Sequence, residues 1–272
     1  MLQRLGTQIT KSFAADFASK TPGKTMSSVG YEKLFRNVVD IPHIDEMIEK
    51  NIALGKKTNI AFIGLGESGI EPLTYLTQIY LTARKSGKTL NDVLGKVDFI
   101  DIQKAYEVKH TRELLDEIEK GGFSKLKHLF SGLAPKEKDE IYNKFQQILK
   151  ESDSKYLGHF LDDFVDNALN HKKYDLTFCN NVFYYVGQGN TPKYRYAQPG
   201  SLPPILEYKG CYDRYFEVMK NLLSTLNKDG KLFFHHDVGK EINNQITKDL
   251  KSLVSKLNDY KEVDLNIISK TN

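Results

Sequence analysis

The sequence predicts a doubly wound α/β domain built on a mostly parallel sheet. Three observations predict it. Short apolar runs alternate with longer helical stretches along most of the 272 residues, the rhythm of βαβ units. Residues Asn59–Tyr75 read NIAFIGLGESGIEPLTY, a strand, a tight glycine turn and a helix opening in succession. A chain of 31.1 kDa is also long enough to bury a full core around one sheet.

Taken in order, residues 1–27 are polar and rich in Ser, Thr, Lys and Gly, so a loosely docked arm is expected there. Residues 28–55 read as helix, broken at Pro42 and ending at Gly55. Residues 1–55 thus form an arm and short helical extension ahead of the main domain, 56–272. Ile60-Ala61-Phe62-Ile63 is an apolar run with the pattern of a buried parallel strand, predicted over 59–63. Its helix is expected over 71–86, with Pro72 suited to a first turn. A second strand is predicted over 96–100, ending at Asp101, then a helix over 104–120 that stops at Gly121-Gly122.

Residues 125–150 are charged and helical, with a restart at Pro135. A third strand is predicted over 156–161, a short helix over 164–169 and a fourth strand over 174–179. Residues 187–211, GQGNTPKYRYAQPGSLPPILEYKGC, break the rhythm and form an insertion. Loops of this length in a compact domain are functional or disordered. A helix over 212–226, a turn at Asn227–Gly230, a fifth strand over 231–235, a helix over 240–257 and a final strand over 262–269 complete the chain.

Composition narrows the function. A net charge of +4 with interspersed signs gives no block that would hold nucleic acid or a membrane surface. Cys179 and Cys211 have no metal-ligand spacing and form no disulfide framework. No metal site and a cytoplasmic location are the expectations. No apolar stretch reaches membrane-spanning length, and MLQRLGTQITKSF lacks the uninterrupted apolar run of a secretory signal.

Ligands of such a sheet bind beyond the carboxyl ends of its strands. The glycines Gly64, Gly66 and Gly69 allow a ligand close to the backbone, and helix N-terminal amides face it. That turn alone fits NAD, FAD and S-adenosylmethionine (SAM) equally. Asp101 has two readings, a carboxylate accepting both ribose hydroxyls or a helix-capping acid. Asp162 and Asp163 sit where one of them would receive an adenine amino group, the other serving as a plain N-cap. Glu71 fits either the amino-acid portion of a cofactor or a first-turn acid complementing the helix dipole. His235 and His236 are neighbours on a strand and point to opposite faces, which argues against a shared metal.

Five places carry a resemblance to a known family. These are Leu34-Phe35-Arg36-Asn37, Gly69-Ile70-Glu71-Pro72, Phe99-Ile100-Asp101-Ile102, Tyr174–Val182 (YDLTFCNNV) and Leu226–Phe234 (LNKDGKLFF). Together they resemble the class I SAM-dependent methyltransferases. The closer likeness is to the CheR-type chemotaxis-receptor glutamate methyltransferases, over roughly residues 30–237. The YDLTFCNNV segment matches that family's Phe-Asp-Leu-Ile-Phe-Cys-Arg-Asn-Val and is the most specific piece. The resemblance implies a Rossmann-like methyltransferase fold, SAM as cofactor, and site roles for Arg36, Glu71, Asp101 and Asn181. Asn180 stands where the family pattern has arginine.

A carboxylate acceptor would need a clamp, a role for Arg36, and no general base. An amine or phenol acceptor would need proton removal, with His236, Tyr184 or Tyr185 as candidates. Tyr184 and Tyr185, with Tyr194, Tyr196 and Tyr208 of the insertion, build either a substrate cover or ordinary loop packing. The acceptor itself, protein or small molecule, is not named by the sequence. Two rival functions stand beside methyl transfer: an NAD-dependent oxidoreductase, and a binding module that keeps the fold without turnover.

Overall fold

Four parallel strands run from one edge of a six-stranded sheet, and one reversed strand lies between them and the strand at the other edge. The computed structural model describes residues 40–63, 70–100, 130, 132–151, 173–180, 219–234, 247–249, 251–264 and 266–271, with backbone alone for Ile70, Glu71 and Ile100. The elements are α1 (Asp40–Ala53), β1 (Thr58–Ile63), α2 (Ile70–Lys85), α3 (Leu90–Val93) and β2 (Leu94–Ile100). They continue as α4 (Pro135–Glu151), β3 (Tyr174–Phe178), β4 (Leu226–Phe233), β5 (Tyr260–Asp264) and β6 (Ile267–Lys270). Spatial order is β2-β1-β3-β4-β6-β5, with β6 antiparallel to both neighbours. The fold is mixed α/β with a mostly parallel sheet, compatible with a Rossmann-like arrangement. No helix among the described residues is long and apolar enough to cross a membrane.

Both faces of the central strands β1, β3 and the latter half of β4 are buried, which explains why they read as apolar runs. Phe62, Phe99, Phe178 and Phe233 point to one face and join the main core with Ile44, Ile48, Leu76, Ile79 and Phe145 of the helices. Their neighbours Ala61, Thr177 and Leu232 are equally buried on the other face. At the far edge, β5 carries Lys261, Glu262 and Asp264, charges that discourage pairing with another chain.

Pro42 does not break the first helix. It is the third residue of α1, where its missing N–H has no helical partner to lose. Gly55 closes α1 at φ 62, with Lys56 N–H bonded to Asn51 O and Gly55 N–H to Ile52 O. This is a Schellman cap, and Gly87 at φ 65 ends α2 the same way.

Two further sequence expectations are corrected. The turn Asn227–Gly230 lies inside β4 as an irregularity, because Leu226 already pairs with Tyr174 before Lys231 pairs with Leu176. Asp229 there has φ 63, and a Cβ on Gly230 would sit 2.8 Å from the Asn227 and Tyr174 carbonyl oxygens. The expected single final strand is a hairpin, β5 and β6, turning through Asn266 at φ 60. The elements expected over 28–39, 104–120, 156–161 and 164–169 and the insertion 187–211 lie outside the described residues.

Candidate functional site

The chain runs from β1 outward to β2, then returns to β3 on the other side of β1. The order therefore reverses between β1 and β3, and the crevice beyond their carboxyl ends is the place for a ligand. Ile63 and Ile100 are the terminal paired residues of β1 and β2. In sequence, Gly64 follows the first and Asp101 the second. Six residues, Gly64–Gly69, connect β1 to α2, and Glu71 is the second residue of that helix.

Below the crevice lies a row of aromatic rings. Phe62 pairs in register with Phe99 and Phe178, and Phe178 with Phe233. The ring centroids of Phe62–Phe178 and Phe178–Phe233 are 5.1 and 4.7 Å apart, both pairs stacked. Phe62–Phe99 are tilted at 5.4 Å. Tyr75 of α2 stacks on Phe178 at 4.0 Å. Such pairs contribute about 0.5–1.5 kcal/mol each beyond their area. They make a stiff floor, one residue below the strand ends at Ile63 and Ile100.

A buried polar chain rises beside this floor. Tyr75 Oη donates to Asp40 Oδ2 at 2.7 Å, and Asn180 Nδ2 donates to Tyr75 Oη at 3.2 Å. Cys179 N–H still bonds to Phe233 O at 2.8 Å, so Asn180 is the first residue past the ladder. Asp40 begins α1, Tyr75 lies in α2 and Asn180 follows β3. Three elements therefore meet at the reversal point through one hydrogen-bonded line.

Other ionisable groups cluster away from the strand ends. Tyr174, the first residue of β3, donates to Asp98 Oδ2 at 2.7 Å. Burial, then this bond, pushes the Tyr174 hydroxyl far above the usual phenol range. Lys231, buried in β4, bonds to Glu46 and lies 3.4 Å from His43 Nδ1, while His43 Nε2 is 3.3 Å from Asp264 Oδ2. The hydrogen bond from Lys231 holds the Glu46 carboxyl below its usual range. These groups dock α1 onto β4 and β5.

Of the residues expected in the site, Arg36, Gly64, Gly66, Gly69, Asp101, Asp162, Asp163, Asn181 and Tyr184 lie outside the described residues. Glu71 is described by its backbone alone, in the first turn of α2. Sequence reasoning missed the linkage of Asp40, Tyr75 and Asn180, whose members are 35 and 105 residues apart. Only the Asn180 departure from the family arginine marked the place.

No family model matches the chain, so the CheR-type likeness rests on the quoted motifs alone. No curated protein matches it. Among solved structures, WbdD in co-crystal with the kinase inhibitor LY294002 is 11% identical, with a TM-score of 0.42 over 86% of this chain and 40% of that one. Monomeric WbdD is 13% identical, with a TM-score of 0.38 over 86% and 41%. The chain therefore spans about two-fifths of the length of these neighbours. Identity and superposition at this level are too low to imply a common function.

Proposed function

We propose that this chain binds SAM beyond the carboxyl ends of β1, β2 and β3 and directs its methyl group to an oxygen or nitrogen acceptor. The observation that supports this most directly is the register of β1 with β2. Ile63 pairs with Ile100, so the glycine turn and Asp101 begin at neighbouring strand ends. A ligand with an adenosine suits that pairing: backbone amides on one side, a carboxylate for two ribose hydroxyls on the other. Asp162 or Asp163 would take the adenine amino group, and Glu71 the amino-acid end. When bound, SAM supplies a methyl group activated by its positively charged sulfur.

The chain supplies orientation and a dry, preorganised surrounding. Arg36, Asn181 and Tyr184 are assigned to the acceptor side. Arg36 precedes Asp40 by four residues, a tether of at most about 14 Å. Since Asp40 is tied through Tyr75 to Asn180, that tether supports a role for Arg36 at the crevice. The reversed β6 weighs against the oxidoreductase reading. A two-half dinucleotide domain continues in parallel, whereas here the sheet turns antiparallel beside β4. One nucleoside fits this sheet better than two.

Calorimetric titration with SAM, S-adenosylhomocysteine and NAD tests the proposal. SAM and S-adenosylhomocysteine should bind and NAD should not. Asp101→Ala should weaken SAM by roughly 1.5–3 kcal/mol, about tenfold to a hundredfold. Binding of NAD without SAM, or unchanged SAM affinity in a folded Asp101→Ala protein, would overturn it.

A further inference from the structure

Lysines that are interspersed along the sequence are gathered by the topology. Parallel strands put their amino ends on one face, opposite the crevice. At β1 and β2 that face is made by two loops and a short helix. Residues 54–57 lead from α1 into β1, and residues 86–89 lead from α2 into α3, which runs directly into β2. Helix α3 lies beside α1, and Thr58 pairs with Leu94. A Cβ on Gly95 would sit 3.3 Å from Lys57 Cβ, so Lys57 lies against the residue before Lys96. The Asp92 carboxyl is held below its usual range first by its bonds from Thr89 and then by the charges of Lys88 and Lys57. Both loops therefore bring a cation to the same carboxylate. Lys56, Lys57 and Lys88 are exposed and form no ion pair among the described residues. Lys96, 56% exposed, lies 3.6 Å from the buried Asp98. Against these four cations the two loops and α3 expose one acid, Asp92, and Glu49 stands more than one turn back along α1.

Beside Lys56 and Lys57 stands Leu54, the one large apolar side chain exposed among the described residues, at 55%. We propose that this amino-end face of β1 and β2 rests on an anionic lipid surface. Leu54 enters the headgroup layer, and Lys56, Lys57, Lys88 and Lys96 meet the lipid phosphates and carboxylates. Each lysine held near such a surface strengthens binding by about fivefold, and a short apolar insertion adds to it. A nucleic acid would use the same lysines, but it takes apolar contact through planar rings stacked on its bases, and these loops carry an aliphatic residue and no ring. The six residues of β1, at about 3.3 Å each, set this face about 20 Å from the crevice. A chain seated this way keeps the crevice open to water. The inference stands apart from the SAM reading, since it uses none of the residues assigned to that site.

Co-sedimentation of the full chain with lipid vesicles tests it. Vesicles of mixed phosphatidylserine and phosphatidylcholine should bind about tenfold or more tightly than phosphatidylcholine alone, and the preference should fade as salt is raised. Lys56→Glu with Lys57→Glu should bring binding to within about twofold of the phosphatidylcholine level. Lys88→Glu with Lys96→Glu should do the same and carries the test if the first pair does not fold. Lys220→Glu with Lys248→Glu makes the same change in net charge at exposed positions before β4 and β5, and should keep most of the preference. Leu54→Ala should weaken binding by about threefold or more at unchanged charge. Equal binding to the two kinds of vesicle overturns the proposal. So does an equal loss in the Lys220–Lys248 variant, which would make net charge the cause, or a Leu54→Ala protein that binds as well as the unaltered one. Retention on duplex RNA or DNA without binding to the anionic vesicles assigns the face to nucleic acid and overturns it as well.

Discussion

Lys231 sits 6% exposed in the middle of a strand, a place where an unpaired ammonium would be costly. Its charge is met at one end by Glu46, which is 68% exposed and needs no protein partner of its own. That asymmetry decides what a substitution does. Removing one member of a fully buried pair strands the other charge and costs several kcal/mol. Here the stranded partner returns to water. Lys231→Met, which keeps the length of the buried stem, should therefore change unfolding free energy by less than about 1 kcal/mol. Lys231→Ala should cost more, through lost packing beside Leu176 and Ser269, its register partners. Urea denaturation separates the two; a large loss in the methionine variant would show that the charge itself holds α1 to β4. None of this was legible in LNKDGKLFF, where Lys231 reads as one more strand residue. The same holds for Asp40, Tyr75 and Asn180. Each is an ordinary residue of its segment, and only the sheet order brings them together.

At the level of elements the sequence was more readable, because caps are local. Pro135 marked a helix restart, and α4 begins there, with Glu137 Oε2 accepting from Ala134 N–H at 2.7 Å. The sequence did not show that the same carboxylate ties α4 to α2. Arg84 Nη1 donates to it at 2.8 Å and Tyr80 Oη at 2.9 Å. The Arg84 bond first, then the Ala134 and Tyr80 bonds, lowers the Glu137 carboxyl to about 2. Burial, then Glu137, raises the Tyr80 hydroxyl to about 12. A carboxyl whose folded value lies below its free value of 4.5 stabilises the fold fully above that value. The contribution is lost as pH falls through about 2. Glu137→Gln should therefore melt below the unaltered protein at neutral pH, and the gap should narrow steadily below about pH 4.5. Thermal melts followed by circular dichroism across that range check it. A pH-independent gap would mean that the amide loses packing and not charge. Strand extents were similarly local, with β1, β2 and β3 found within two residues of their apolar runs. The β5–β6 hairpin was misread because its turn is marked by Asn266 alone, without glycine or proline.

For the whole molecule, the alternation of strands and helices indicated a parallel sheet, but strand order is a long-range property. Pairing of β4 with β6 in place of β5 skips an element, and no local pattern signals it. That order nevertheless defines the crevice between β1 and β3, and it bears on residues 187–211. They lie within the stretch 181–218 that joins Asn180, fixed beside β3, to the buried helical residues around Met219. Asn180 and Met219 are held by elements that do not depend on the length between them. The run of Gly, Pro and Tyr in 187–211, without a regular period, contrasts with the apolar repeats that fill the core. Shortening a connection of this size changes closure entropy by well under ~1 kcal/mol, since that cost varies only with the logarithm of length. Deleting Asn190–Pro204 should therefore shift the thermal midpoint by no more than a few degrees, about what such a change produces in a domain of this size. SAM affinity should also persist, because the residues assigned to the cofactor, in the turns after β1 and β2, at Glu71 and at Asp162 or Asp163, all precede the deleted stretch. Acceptor selection is the property expected to change, as the segment follows Asn180 closely in the sequence. Loss of SAM binding in a folded deletion protein would move these residues into the cofactor site. A large drop in the midpoint would instead assign them to the core, and the six-stranded sheet would then need them for its stability.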